Sequence, residues 1–304
     1  MTRDRDGRGV VLLYHRVAHT AEDPYGLFVG PDHFSQQLDY LRRHADIVSL
    51  GALIERPVER GVAITFDDGY CDNAHIARRR LEAVGAAATF FVVSGRVGSS
   101  RQFWWDHLAH VVLRARPREG SLDVDVTPRV TVGIRLGTRE ERDRTLSTLH
   151  LALLPRSPGS NERFVESLRA LLGVPPLEPG AHRVVDVDEL RELAASPSVE
   201  VGAHTVSHPS LGSSSRTEQR AEISGSRAAL EALLQRPVRS FAYPFGEYSQ
   251  ETTRLVREAG FRLACTVDAG PVNPSSDPLR LPRHEVGDWT AEEFADRFER
   301  WMSA

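Results

Sequence analysis

The chain has 304 residues, 40% of them hydrophobic, with a formal charge of −4 and a pI near 6.3. That is enough apolar material for one sizeable core, and it excludes the basic footprint of a nucleic-acid-binding surface. The positive charge is carried by Arg throughout, and the two cysteines, Cys71 and Cys265, are too few and too distant for a disulfide framework or a Cys-based zinc site.

Apolar runs read as strands near 10–14, 62–66, 88–93, 199–203, 240–243, 262–267 and 279–286. Helix-patterned stretches lie at about 32–44, 74–85, 187–195, 217–235, 249–259 and 290–302. Strands alternating with helices predict a parallel sheet, and seven or eight such units predict closure into a barrel.

The rhythm breaks between about Ser99 and His182. Phe103 to Leu108 begins a helix-like stretch, 124–136 is weakly β, and 139–153 and 162–172 look helical. Pro155, Pro158, Pro175, Pro176 and Pro179 punctuate the remainder. The expectation is one domain over 10–304, with 99–182 inserted as a cap or a dimer contact. Within it, Trp104 and Trp105 are expected to anchor the insertion to the barrel, the other readings being a sugar platform or a membrane surface.

The start, Met1 to Gly9, is polar, and the run Val10 to Tyr14 is too short for a signal-peptide core. No run reaches the length that spans a bilayer. A cytoplasmic protein without a transmembrane segment is expected, its oligomeric state left open.

Two motifs carry the chemistry. Asp67 and Asp68 follow the apolar run Ala63 to Phe66 and precede Gly69, which permits a sharp turn. On a strand, neighbouring side chains leave on opposite faces, so one Asp is expected to bind a metal while the other faces elsewhere. His204 and His208 follow Val199 to Ala203 and are four apart, the spacing that puts two imidazoles on one face of a helical turn. Two His and one Asp leave coordination positions open for water and substrate, a catalytic rather than a structural pattern.

These residues resemble the polysaccharide deacetylases related to the nodulation chitooligosaccharide deacetylase (the NodB homology domain, carbohydrate esterase family 4). The resemblance covers Val10 to about Arg96 and about Val184 to the end. It implies a distorted, incomplete (β/α)7-type barrel of α/β class, with Asp67 as catalytic base and Asp68, His204 and His208 as metal ligands. Tyr243, Pro244 and Phe245 resemble the family's third motif, implying that Phe245 lines the groove and that its backbone N–H helps hold an oxyanion.

One departure stands out: the Arg that the family places two residues before Pro244, where it pairs with the catalytic Asp, is here Ala242. Arg283 is the candidate to replace it. His284 is the nearest match to the family's general acid, although strand alternation sends it outward if Arg283 points inward. His15, after Tyr14 at the end of the first strand, is a candidate for the site floor.

The expected function is metal-dependent hydrolytic N-deacetylation or deformylation of an amino-sugar residue, in polysaccharide, glycolipid or glycosylated-metabolite biosynthesis. The ion is divalent, zinc by default, with cobalt or nickel admitted by the mixed N/O ligands. The partner would be an amino-sugar-containing small molecule, a lipid-linked sugar or an oligosaccharide, and no nucleic acid. Two other readings are a non-catalytic carbohydrate-binding relative, against which the full set of base and ligands argues, and an amidohydrolase of a non-sugar C–N bond.

Overall fold

The apolar segment at the start becomes β1 (Gly9–Tyr14), buried at every position, as a parallel strand covered on both faces must be. The structure, a computed structural model, describes residues 9–55, 58–178 and 180–303. The polar start before Gly9 and the punctuating Pro179 lie outside the described residues.

From β1 the chain runs through two short pieces, β2 (Arg16–Val17) and β3 (Phe28–Val29), into α1 (Pro31–His44). Next come β4 (Asp46–Ile47), α2 (Leu50–Glu55) and β5 (Gly61–Phe66). A π-helical turn, Asn73–Ala77, leads into α3 (Arg78–Val84), which ends at Gly85 in the left-handed region, and then into β6 (Ala88–Val92). The segment expected to be inserted holds α4 (Trp104–Arg114), the antiparallel pair β7 (Leu122–Thr127) and β8 (Val130–Ile134), α5 (Arg139–Leu153) and α6 (Pro158–Leu172). The alternation then resumes with α7 (Val187–Ala195), β9 (Val199–Ala203), α8 (Arg216–Leu234), β10 (Ser240–Ala242), α9 (Gln250–Glu258) and β11 (Leu263–Cys265). The described chain closes with β12 (His284–Glu285) and α10 (Ala291–Ser303). Capping boxes open α5, α7, α8 and α9, each satisfying backbone donors that a helix start leaves unpaired.

The main sheet is parallel, in the order β11-β10-β9-β6-β5-β1-β12, with β4 alongside β5. It curls into a half-barrel wrapped by helices. Its two ends approach through the segment after β11: Leu281 bridges Cys265 of β11, and three residues later His284 pairs with Leu12 of β1. This is why the strand expected over 279–286 shortens to two residues. The segment changes partner midway, and Pro282 has no N–H to give to either ladder.

Inside, the Phe66 ring stacks between Tyr14 at 5.3 Å and Phe90 at 4.7 Å, joining three neighbouring strands. The segment from α4 to α6 shares that core through buried Leu146, Leu149, Val165 and Leu168. It is pinned further by Arg142, whose guanidinium donates to the carbonyls of Val112, Leu113 and Ala115 at the end of α4. Among the described residues, no helix is long and apolar enough to cross a membrane.

Candidate metal and catalytic site

The site begins where β5 stops. The Asp67 N–H still donates to the Tyr14 carbonyl at 2.9 Å, continuing the ladder. Asp68 leaves it: its φ is 72°, and the Gly69 N–H closes back on the Asp67 carbonyl at 2.9 Å in a three-residue turn. Gly69 itself has φ 78°, and a Cβ there would sit 3.0 Å from Val92. Strand alternation therefore fails at this point, and the two carboxylates converge. Asp67 Oδ2 lies 3.8 Å and Asp68 Oδ1 3.7 Å from His204 Nε2, so neither Asp faces away.

The second motif also departs from expectation, because residues 204–208 form an irregular loop rather than a helical turn. Thr205 and His208 have φ of 65° and 63°. Glu222, reaching over from α8, holds this loop: it accepts from the N–H groups of Val206 and Ser207 at 2.8 Å each and from the Ser207 hydroxyl at 2.6 Å. With Phe245 at φ 56°, four of the six described non-glycine residues at positive φ belong to the site. Such strain persists only where surrounding contacts impose it, and it gathers at functional sites.

The result is a buried triangle of ligand atoms. His208 Nε2 is 3.1 Å from His204 Nε2 and 3.3 Å from Asp68 Oδ1, and His204 Nε2 to Asp68 Oδ1 closes it at 3.7 Å. A tetrahedral ion with bonds of about 2.0–2.1 Å needs ligand atoms roughly 3.3 Å apart. His204 Nδ1 is 2.8 Å from the Ala242 carbonyl, which places its proton there and turns Nε2 toward the centre. Burial, outweighing the nearby Asp67 charge, brings the His204 pKa down to about 4, so its imidazole is neutral and able to ligate. For Asp68 burial opposes ionisation, but the hydrogen bond and charge of His208 prevail and lower its pKa. The donor set fits a divalent cation.

Arg283 lies on the other side of Asp67. Nη1 donates to Asp67 Oδ1 at 2.8 Å and Nη2 to Oδ2 at 2.7 Å, a two-pronged pairing, while Nε donates to the Thr266 carbonyl at 2.7 Å. Nη1 also donates to Thr65 Oγ1 at 3.2 Å. Burial alone would raise the Asp67 pKa, but the guanidinium outweighs it and holds the carboxyl far below the usual range.

These groups open into a cleft of about 320 Å³, lined also by Leu13, His15, Leu27, Glu285 and Val267. Its aromatic wall is Phe245, whose ring meets His208 edge-on at 4.5 Å, and Trp105, 4.8 Å from His208. Trp105 also donates to the Tyr70 hydroxyl at 3.0 Å, and both Trp104 and Trp105 are buried.

The other expected site residues lie elsewhere. Among the described residues His284 is not part of the cleft lining: its ring stacks on Trp301 at 4.6 Å, on the opposite side from Arg283. Tyr243 spends its hydroxyl on the Leu279 carbonyl and stacks on Tyr248, and Pro244 is buried beneath the turn that presents Phe245. The motif reading missed Glu222, Tyr25 and His150, the last two lining the cleft from outside the main sheet.

Residues 165–264 match the family model for polysaccharide deacetylase, a stretch holding His204, His208 and Phe245 but not Asp67 or Asp68. The resemblance to polysaccharide deacetylases stands. In structure, the chain is similar to the Streptococcus pyogenes deacetylase PplD solved in complex with acetate (TM-score 0.62, 19% identity, 96% of this chain and 98% of that one). It is also similar to IcaB from Ammonifex degensii (TM-score 0.61, 22% identity, 98% of each chain). A polysaccharide deacetylase from Bacillus cereus aligns at TM-score 0.62 and 18% identity, over 96% of this chain and 69% of that one. The barrel-like deacetylase fold is thus shared, with alignments that cover 96–98% of this chain. No curated protein matches the sequence.

Proposed function

We propose that the protein is a metal-dependent N-deacetylase of an amino-sugar residue. The observation that carries this reading is the buried Asp68–His204–His208 triangle with a second carboxylate, Asp67, beside it and held by its own cation. The deacetylases among its structural neighbours support the same class.

Asp68, His204 and His208 would hold the ion, zinc by default with cobalt or nickel as alternatives. A divalent ion bound there would supply Lewis acidity toward the amide carbonyl. Asp67 accepts the proton of the attacking water: its carboxylate is ionised and fixed in plane by the Arg283 fork, so it is ready as a base across a wide pH range. The Phe245 backbone N–H, on a turn strained into the left-handed region, is offered to the developing oxyanion. The leaving amine needs a proton, and His284 is turned away. His15 lines the cleft beside Asp67 and Asp68, with its backbone carbonyl held by Asn73 at 2.9 Å, and is placed to be the donor. The inserted segment supplies the Trp105 wall and acts as a cap, limiting the cleft to the size of a sugar residue or two.

The test is metal binding read beside acetate release. Wild-type protein should bind one divalent ion per chain by elemental analysis and release acetate from N-acetylated amino sugars. The His204→Ala, His208→Ala double variant should lose both. Stoichiometric metal retained by that variant would place the site elsewhere.

A further inference from the structure

Three buried polar atoms on residues lining the cleft have no hydrogen-bond partner: His208 Nδ1, on a residue of the ligand triangle, and, away from that triangle, the Tyr25 hydroxyl and His150 Nδ1. The Tyr25 and His150 rings lie 5.2 Å apart, and both residues line the cavity that holds Asp67, Asp68, His204 and His208. Neither belongs to the main sheet. Tyr25 comes from the loop between β2 and β3, and His150 from α5 of the inserted segment. The side chains around them, Leu27, Trp104, Trp105 and Phe245, offer mostly apolar surface. Buried phenols and imidazoles ordinarily find partners, and leaving one unpaired costs about 1–3 kcal/mol. The Tyr25 hydroxyl and His150 Nδ1, adjacent in the cavity wall, thus have no partner within the protein.

We propose that Tyr25 and His150 form a hydroxyl-recognition pair, hydrogen-bonding the ring hydroxyls of an amino sugar whose acylamide lies at the Asp68–His204–His208 cluster. The inference rests on the deacetylase reading and narrows its substrate class. Burial keeps the phenol protonated and, with the nearby His208, brings the imidazole pKa down to about 4. A phenol hydroxyl and an imidazole nitrogen can each hydrogen-bond a sugar hydroxyl. The pair also gives the inserted segment a part in choosing substrate, since α5 carries one half of it.

The experiment compares two probes on the metal-loaded enzyme: N-acetylglucosamine with its oligosaccharides, and 4-nitrophenyl acetate, which has an acetyl group but no sugar hydroxyl. Tyr25→Phe and His150→Leu should each raise KM for the sugars about 10-fold, the size of a lost buried hydrogen bond, with kcat little changed. Hydrolysis of the aryl ester should be unaffected. His150→Asn, which keeps a polar atom near the Nδ1 position, should recover part of the sugar KM. Unchanged sugar KM in both variants, or equal losses on sugar and ester, would overturn the pair while leaving the deacetylase reading in place. A wild-type enzyme that cleaves the ester but none of the sugars would overturn the deacetylase reading and the pair with it.

Discussion

Arg283 and Asp67, 216 positions apart, meet through two parallel hydrogen bonds of 2.8 and 2.7 Å in a fully buried setting. The pairing sets both the direction and the charge of the carboxylate, because a planar guanidinium fork fixes both oxygens at once. It leaves Asp67 Oδ2 as the oxygen nearest His204, at 3.8 Å.

Removing that cation should therefore be visible in the pH–rate profile. Arg283 depresses the Asp67 pKa, so its loss lets burial raise it, and the acid limb of kcat/KM moves to higher pH. Arg283→Ala should also lower kcat and cost about 3–5 kcal/mol of stability, since a buried carboxylate is left unpaired. Arg283→Lys keeps a charge without the fork and should fall between the two. Bound metal should be unchanged in either variant, and a normal pH profile in both would show that Asp67 is oriented by something else.

Glu222 belongs neither to the ligand triangle nor to the cleft lining, yet it accepts three hydrogen bonds from the loop that carries His208. Glu222→Ala should loosen that loop, whose Thr205 and His208 are held at positive φ, and weaken metal affinity about 10- to 100-fold. Competition with a chelator of known affinity measures this. Glu222→Gln, which retains one acceptor oxygen, should lose less, and equal affinities in all three proteins would remove Glu222 from the account.

The carboxylate of Glu189 offers a pH test away from the site. Arg183 donates to it at 2.5 and 2.6 Å, and the Asp186 N–H at 2.8 Å completes the capping box of α7. The Arg183 hydrogen bonds, opposed by partial burial, lower its pKa from 4.5 to about 2. Because the folded pKa is the lower one, the stabilisation is complete above about 4.5 and is lost as pH falls toward about 2. Glu189→Gln keeps a capping acceptor but loses the charge facing Arg183, and should cost about 0.2–1 kcal/mol at neutral pH. Its melting temperature should converge on that of the wild type in acid, and a gap that persists at low pH would mean the loss is one of packing rather than charge.

What was legible in the sequence follows from how many residues write each signal. The long buried strands and the helices between them repeat their periods over enough positions to be read, and 187–195 and 139–153 fall on α7 and α5 as expected. Segments such as β4 and α2, at two and six residues, are too short to show a period. The partner of Asp67 could be sought because Ala242 leaves a carboxylate without its expected cation. The convergence of Asp67 and Asp68 could not, since it depends on Asp68 adopting φ 72°, which no side-chain pattern encodes. Nor could His150, whose helix is read correctly but whose place at the cleft depends on how α5 packs against loops far away in the chain.

The most direct measurement is acetate release by the Asp67→Asn variant at full metal occupancy, beside the wild type on the same N-acetylated amino sugars. Asp67 is assigned as the base and not as a ligand, so the variant should carry as much metal as the wild type yet turn over about 10²- to 10⁴-fold more slowly. Undiminished turnover with metal in place, or loss of metal from Asp67→Asn while Asp68→Asn retains it, would contradict the assignment at its centre.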